Sequence, residues 1–102
     1  MKIYITGKVS GTPISECTMK FGAAQQQLQQ LGHDPINPLA VVNDWHTPWA
    51  AAMRTCITAL MTADAVFALP DSYLSNGGLI ELELANELGI PVYTELSKIP
   101  KP

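Results

Sequence analysis

Cysteine is scarce in this chain of 102 residues: Cys17 and Cys56 are the only two, and they form no CxxC pair. Two separated thiols cannot supply a disulfide framework or a four-cysteine zinc site, and unpaired they suit a reducing compartment. Basic residues are few as well, six Lys and Arg against nine Asp and Glu, for a formal net charge of -3. Binding a nucleic-acid polymer rests on clustered cations that neutralise phosphates. No polymer partner is therefore expected, although a single nucleotide remains within reach. The only histidines, His33 and His46, share no ligand spacing with a carboxylate pair, so neither metal nor cofactor is expected. No apolar run approaches the ~20 residues of a membrane span, and MKIYITG lacks the basic start and long apolar stretch of a signal peptide. The expectation is a soluble, cytoplasmic protein with no membrane partner.

With 47% hydrophobic and 15% charged residues the composition is globular, and no repeat or linker divides residues 1 to 102. KIYIT, Lys2 to Thr6, is β-branched and aromatic and stops at Gly7, as a strand feeding a tight turn does. After a loop from Gly7 to Pro13, Cys17, Phe21, Ala24, Leu28 and Leu31 recur at helical spacing, and Gly32 closes that helix. His33 to Trp45, with two prolines and two asparagines, predicts at most a short strand around Ile36 before a long loop. Pro48 to Thr62 returns to helical spacing, with Trp49, Met53, Ile57 and Leu60 on one side. AVFAL, after Asp64, is a continuous apolar run typical of a parallel strand covered on both faces. A helix ending at Gly89 follows, then IPVYTEL as a last strand, and SKIPKP is expected to fray. This alternation predicts an α/β three-layer sandwich, a parallel Rossmann- or flavodoxin-like sheet flanked by helices. In such sheets ligands sit beyond the carboxyl ends of the strands, where Gly7 to Pro13, Asn37 to Pro48 and Pro70 to Gly78 converge.

One stretch, SNGGLIELELANELG from Ser75 to Gly89, stands out. Gly77 and Gly78 let backbone approach a ligand closely, and the free amides of a helix start attract anions; alternatively Asn76 caps the helix and the glycines only make a turn. Leu82, Ala85 and Leu88 already supply the face toward the sheet, so Glu81 is not needed for packing. The positive end of the helix dipole favours its ionised form. Glu83 lies roughly 200° around the helix from Glu81, so the two form no catalytic pair, and Glu83 and Glu87 read as solvated surface. An ionised carboxylate without an acidic neighbour suits a nucleophile at a sugar carbon better than a general acid; a merely solvated glutamate is the other reading.

KIYITG, LGHDPINP, TADAVFALP and SxGxxxE with Ala85 and a closing LGIPV, taken in order, resemble the nucleoside 2-deoxyribosyltransferase-like superfamily, most closely its short bacterial and phage branch. The resemblance implies that Glu81 is the nucleophile, attacking the anomeric carbon of a deoxyribonucleoside or nucleotide, and that Tyr4 lies beside it. It further implies that Ser75, where relatives acting on free nucleosides carry an acid, goes with a 5'-monophosphate. Gly7, Lys8, Ser10 and Gly11 match the first loop of the monophosphate hydrolases, and Lys8 adds a suitable charge. Where characterised relatives have an aspartate that helps protonate the leaving base, this chain has Cys56; Asp71, His46 or Asp44 could substitute, or are plain loop residues. Asp64 reads as structural, Arg54 is left open, and Asn37 with Pro38 reads as loop geometry. Trp45 is the candidate to stack on a base, whereas Trp49 reads as core or oligomer packing. Relatives assemble pockets across a dimer, so a homodimer or larger homo-oligomer is expected.

The implied activity is an N-glycosidase or deoxyribosyltransferase acting on a 2'-deoxynucleoside 5'-monophosphate. The alternative is a catalytically impaired nucleotide-binding or sensing module, suggested by Cys56. A flavodoxin-like or response-regulator-like role is weaker, since the first strand is followed by neither a rich phosphate loop nor an acidic cluster.

Overall fold

The computed structural model describes all residues from Met1 to Pro102. Four parallel strands, β1 (Lys2–Thr6), β2 (Asp34–Ile36), β3 (Ala65–Ala68) and β4 (Val92–Tyr93), form one sheet in the order β2-β1-β3-β4. Between them run α1 (Ile14–Gln30), α2 (Pro38–Val42), α3 (Trp49–Leu60) and α4 (Asn76–Glu87). The chain moves outward from β1 to β2, then returns across β1 to reach β3, so the connections reverse direction between β1 and β3. That reversal opens a crevice above the carboxyl ends of those two strands.

Strand alternation divides the core in two. Ile3 and Ile5 of β1 face one way, packing with Phe21, Ala24 and Leu28 of α1 and with Ala65, Phe67 and Leu69. Tyr4 faces the other way and clusters with Val66, with Cys56 and Leu60 of α3 and with Ala85 of α4. The result is the three-layer, flavodoxin-like sandwich, with α1 on one face and α3 and α4 on the other. The central strands β1 and β3 are buried apart from Lys2, which explains why AVFA reads as an uninterrupted apolar run. Asp64 accepts the Lys2 amide at 2.8 Å and so fixes the start of the β1 and β3 pairing, a structural task. No helix is long and apolar enough to cross a membrane.

The two LG sequences end their helices in the same way. His33 N donates to Leu28 O and Gly32 N to Gln29 O, with Gly32 at φ +88°; Ile90 N donates to Ala85 O and Gly89 N to Asn86 O, with Gly89 at φ +72°. A left-handed residue after the helix satisfies the last carbonyls, and glycine adopts it without a Cβ penalty.

Three expectations are corrected. Asn37 and Pro38 do not start a bare loop: the Asn37 side chain accepts from Leu39 N at 3.0 Å and Pro38 occupies the first helical position, so α2 forms here. Leu31 and Leu88, assigned to buried faces, are exposed because each sits at the helix C-cap, where the apolar stripe has turned off the sheet. The tail does not fray. Ile99 is buried in the larger core cluster, Leu96 packs against it, and Pro102 lies over Gly32. Ile99→Ala is therefore expected to cost about 2 kcal/mol, seen as a lower midpoint in chemical denaturation; an unchanged midpoint would mean the tail is detached in solution.

Candidate active site

Helix α4 starts under the crevice. Ser75, in extended conformation, is the N-cap: its Oγ accepts from Gly78 N at 3.0 Å, so the cap is Ser75 and not Asn76. The Ser75 hydroxyl proton stays available to a ligand. The Gly78 amide does not, being committed to the cap, while the amides of Asn76 and Gly77 have no partner in the chain. The glycines have different reasons to be there. A Cβ on Gly78 would run into the Ser72 carbonyl, whereas one on Gly77 would meet the Met53 sulfur at 3.0 Å.

Glu81 lies in the second turn of α4 and points inward; it is 5% exposed. Both carboxylate oxygens are held from β1: the Tyr4 hydroxyl donates to Oε2 at 2.5 Å and the Thr6 hydroxyl to Oε1 at 2.9 Å. Tyr4 and Thr6 are two apart on one strand and so share a face. Burial raises the Glu81 carboxyl above its ordinary value of 4.5, and the two hydroxyl donors act against that rise. Desolvation therefore works against the ionised form that the helix start was expected to favour. The Tyr4 hydroxyl is pushed up, by burial first and by the Glu81 charge second, so it remains a neutral donor.

A threonine in a strand is ordinary, so nothing but its two-residue spacing from Tyr4 marks Thr6 as a site residue. Thr6→Val keeps the shape and removes a donor to the charged carboxylate. It is expected to move the acidic limb of the pH-rate profile upward, with Thr6→Ser restoring it. An unmoved limb would separate Thr6 from the ionisation of Glu81.

The crevice is a cavity of about 1200 Å³ whose walls include Tyr4, Gly7, Lys8, Ser10, Gly11, Trp45, Ser75, Gly77, Gly78 and Glu81. Cys56 also lines it, 8% exposed, beside the Tyr4 hydroxyl, and burial raises its thiol so that it stays protonated. Trp49 is not core: it is 49% exposed on the cavity wall, with Trp45 at 48% exposed. The cavity runs on between α1, at Thr18, Gly22 and Gln25, and α2, at Pro38 and Leu39, residues that no motif in the sequence marks.

Of the carboxylates and histidine offered as acids, only Asp44 lines the cavity, at its exposed rim, where it accepts from His46 N at 2.9 Å. His46 and Arg54 are exposed and outside it. Asp71 is also outside, clamped between two loops: Oδ1 accepts from Lys8 N at 3.0 Å and Oδ2 from Lys20 Nζ at 2.5 Å, and Lys20 Nζ also reaches Lys8 O. Partial burial would raise the Asp71 carboxyl, but Lys20 and the Lys8 amide overcome it and hold it low. Asp71 is thus a strut for the Gly7 to Pro13 loop and no proton donor. No group of histidine, cysteine and carboxylate side chains is arranged to hold a metal ion.

No curated protein matches the chain. Among solved structures it is similar to a 2-deoxyribosyltransferase from the psychrotolerant bacterium Bacillus psychrosaccharolyticus, described as a biocatalyst for nucleoside synthesis. The TM-score is 0.69 at 24% identity, over 90% of this chain and 69% of the transferase, which shows a common fold. Residues 1–94 match the model of a family described as a domain of unknown function (DUF4406), and the chain belongs to that family.

Proposed function

We propose that the chain is an N-glycosidase or deoxyribosyltransferase acting on a 2'-deoxynucleoside 5'-monophosphate, with Glu81 as nucleophile. The observation that carries this reading is a buried carboxylate on a cavity wall, with each oxygen fixed by a hydroxyl from a rigid central strand. Such preorganisation suits attack on an anomeric carbon, because the nucleophile has no rotamer left to lose. A Glu81 oxygen forms a bond to the anomeric carbon as the bond to the base breaks, and the base takes the electron pair. Water resolving the ester gives hydrolysis; a second base gives transfer. Ser75 Oγ, the amides of Asn76 and Gly77, and Lys8 at the facing loop suit a phosphate, while Gly7, Ser10 and Gly11 let that loop's backbone come near.

The transferase that shares the fold adds support for nucleoside chemistry. A pure binding module is less favoured, since burying a carboxylate costs stability and binding alone gives no reason to bear that cost. Purified protein would be incubated with ordinary and base-alkylated deoxynucleoside 5'-monophosphates and free base followed by chromatography. Release from any of them that disappears in Glu81→Ala supports the reading. No release from the whole panel, or release indifferent to Glu81, contradicts it.

We also propose a homo-oligomer in the cytosol. Tyr73 and Leu74 before α4 and Leu79 and Ile80 on it are exposed, with Leu74 on the cavity wall, and self-association would cover such apolar side chains. Sedimentation velocity giving a monomer at assay concentrations would end that part of the proposal.

A further inference from the structure

We infer that the cavity selects N-glycosides whose base carries a fixed positive charge, such as an N7-alkylated purine or a pyridinium, because two indoles and a carboxylate line it and its interior holds no carboxylic acid besides the nucleophile to protonate a neutral leaving base. This rests on the glycosidic reading above and narrows it to a substrate class.

The titratable side chains on the cavity wall are Tyr4, Lys8, Asp44, Cys56 and Glu81. Glu81 is the nucleophile and must be ionised. Tyr4 is neutral, but its proton is directed into the Glu81 carboxylate. The Cys56 thiol is buried beside the Tyr4 hydroxyl, and burial raises it, so it is a poor donor to a departing base. Neither is a carboxylic acid, and the Tyr4 proton is turned away from a departing base. Lys8 belongs to the Gly7 to Pro13 loop on the cavity wall, and Asp44 lies at the solvent rim accepting the His46 amide. Thr6, the remaining polar neighbour of Glu81, also donates to it.

A neutral purine leaves as an anion unless it is protonated. A cationic base needs no acid, because the electron pair of the breaking C–N bond neutralises the ring nitrogen and the base departs as a neutral molecule. Water then attacks the anomeric carbon of the ester, returning the Glu81 carboxylate and releasing a proton to solvent. Trp45 and Trp49, both half-exposed and lining the cavity, offer aromatic surface that attracts a cation, and the Glu81 carboxylate adds to the attraction.

The test pairs two substrates of nearly equal shape, N7-methyl-2'-deoxyguanosine 5'-monophosphate and dGMP. The expected kcat/KM favours the methylated substrate by about 10²-fold or more, the lower end of what a positioned general acid supplies. Between the ionisation of Glu81 and neutral pH, where N1 of the methylated base starts to lose its proton, the methylated substrate should show a flat pH profile, whereas dGMP cleavage should fall tenfold per unit as its base loses the solvent-supplied proton. Cys56→Asp, which puts a carboxyl on the wall, should raise dGMP cleavage and flatten that slope. Equal kcat/KM for the pair with a flat dGMP profile, or dGMP cleavage lost in Asp44→Asn, would overturn the inference and leave the glycosidase reading intact. No base from either substrate would overturn both.

Discussion

Glu81→Gln is expected to lower kcat/KM for base release by at least about 10³-fold while leaving the fold at least as stable as wild type at neutral pH. The loss follows from chemistry: an amide oxygen carries no charge to give to an anomeric carbon developing positive character, so the covalent route closes. The stability follows from burial. Desolvation raises the Glu81 carboxyl in the folded chain above its ordinary 4.5, so the folded state binds its proton more tightly than the unfolded state does. The stability conferred by the protonated form is fully present below pH 4.5 and is lost as pH rises through the raised folded value. Glutamine, never ionised, removes that decline. Wild type should therefore show midpoints that fall with pH across this window, and Glu81→Gln a flatter curve, in denaturation series run from acid to neutral. Activity should move oppositely, rising as Glu81 ionises, with its acidic limb above 4.5. A variant that loses activity by unfolding would show a low midpoint at every pH, which separates the two causes.

Gly78→Ala is expected to cost about 3 kcal/mol or more and to abolish activity. Its new methyl would meet a backbone carbonyl, that of Ser72, which belongs to the 3-10 turn Ser72–Leu74 just before α4. A flexible side chain could swing aside; a carbonyl within a turn moves only if the turn moves. Overpacking of this kind costs about 1 to 3 kcal/mol even where side chains absorb it. The shift would also pull Ser75 Oγ away from the Gly78 amide, removing a cap worth about 1 kcal/mol. Gly77→Ala is the control, since its methyl faces the Met53 thioether, a movable group, and should lower the thermal midpoint far less. Equal midpoints for the two variants would mean that α4 starts differently.

Much of this architecture can be read from the residues because local signals agree. The apolar run Ala65 to Leu69 needs cover on both faces, Gly32 and Gly89 punctuate helices, and the alternation of types leaves one fold class. Helix α2 hid because five residues show no period, and only its asparagine cap and proline announced it. Long-range partners were not legible at all. Lys20 and Asp71 are 51 residues apart, and nothing in either segment names the other. Ile99 sits in a polar tail yet completes the core beside α1. Within the site, the position of Glu81 was visible as an acid on a helix start, but its burial was not. That burial decides its ionisation, because only tertiary packing places Tyr4 and Thr6 over it and keeps water out.

Covalent capture tests the central claim most directly. Wild type and Glu81→Gln would be mixed with N7-methyl-2'-deoxyguanosine 5'-monophosphate, quenched in acid within the burst of base release, digested and weighed by mass spectrometry. The account predicts a deoxyribose phosphate adduct on the peptide bearing Glu81 in wild type and none in the variant. Base released at full rate with Glu81 unmodified, or an adduct on another residue, would contradict it.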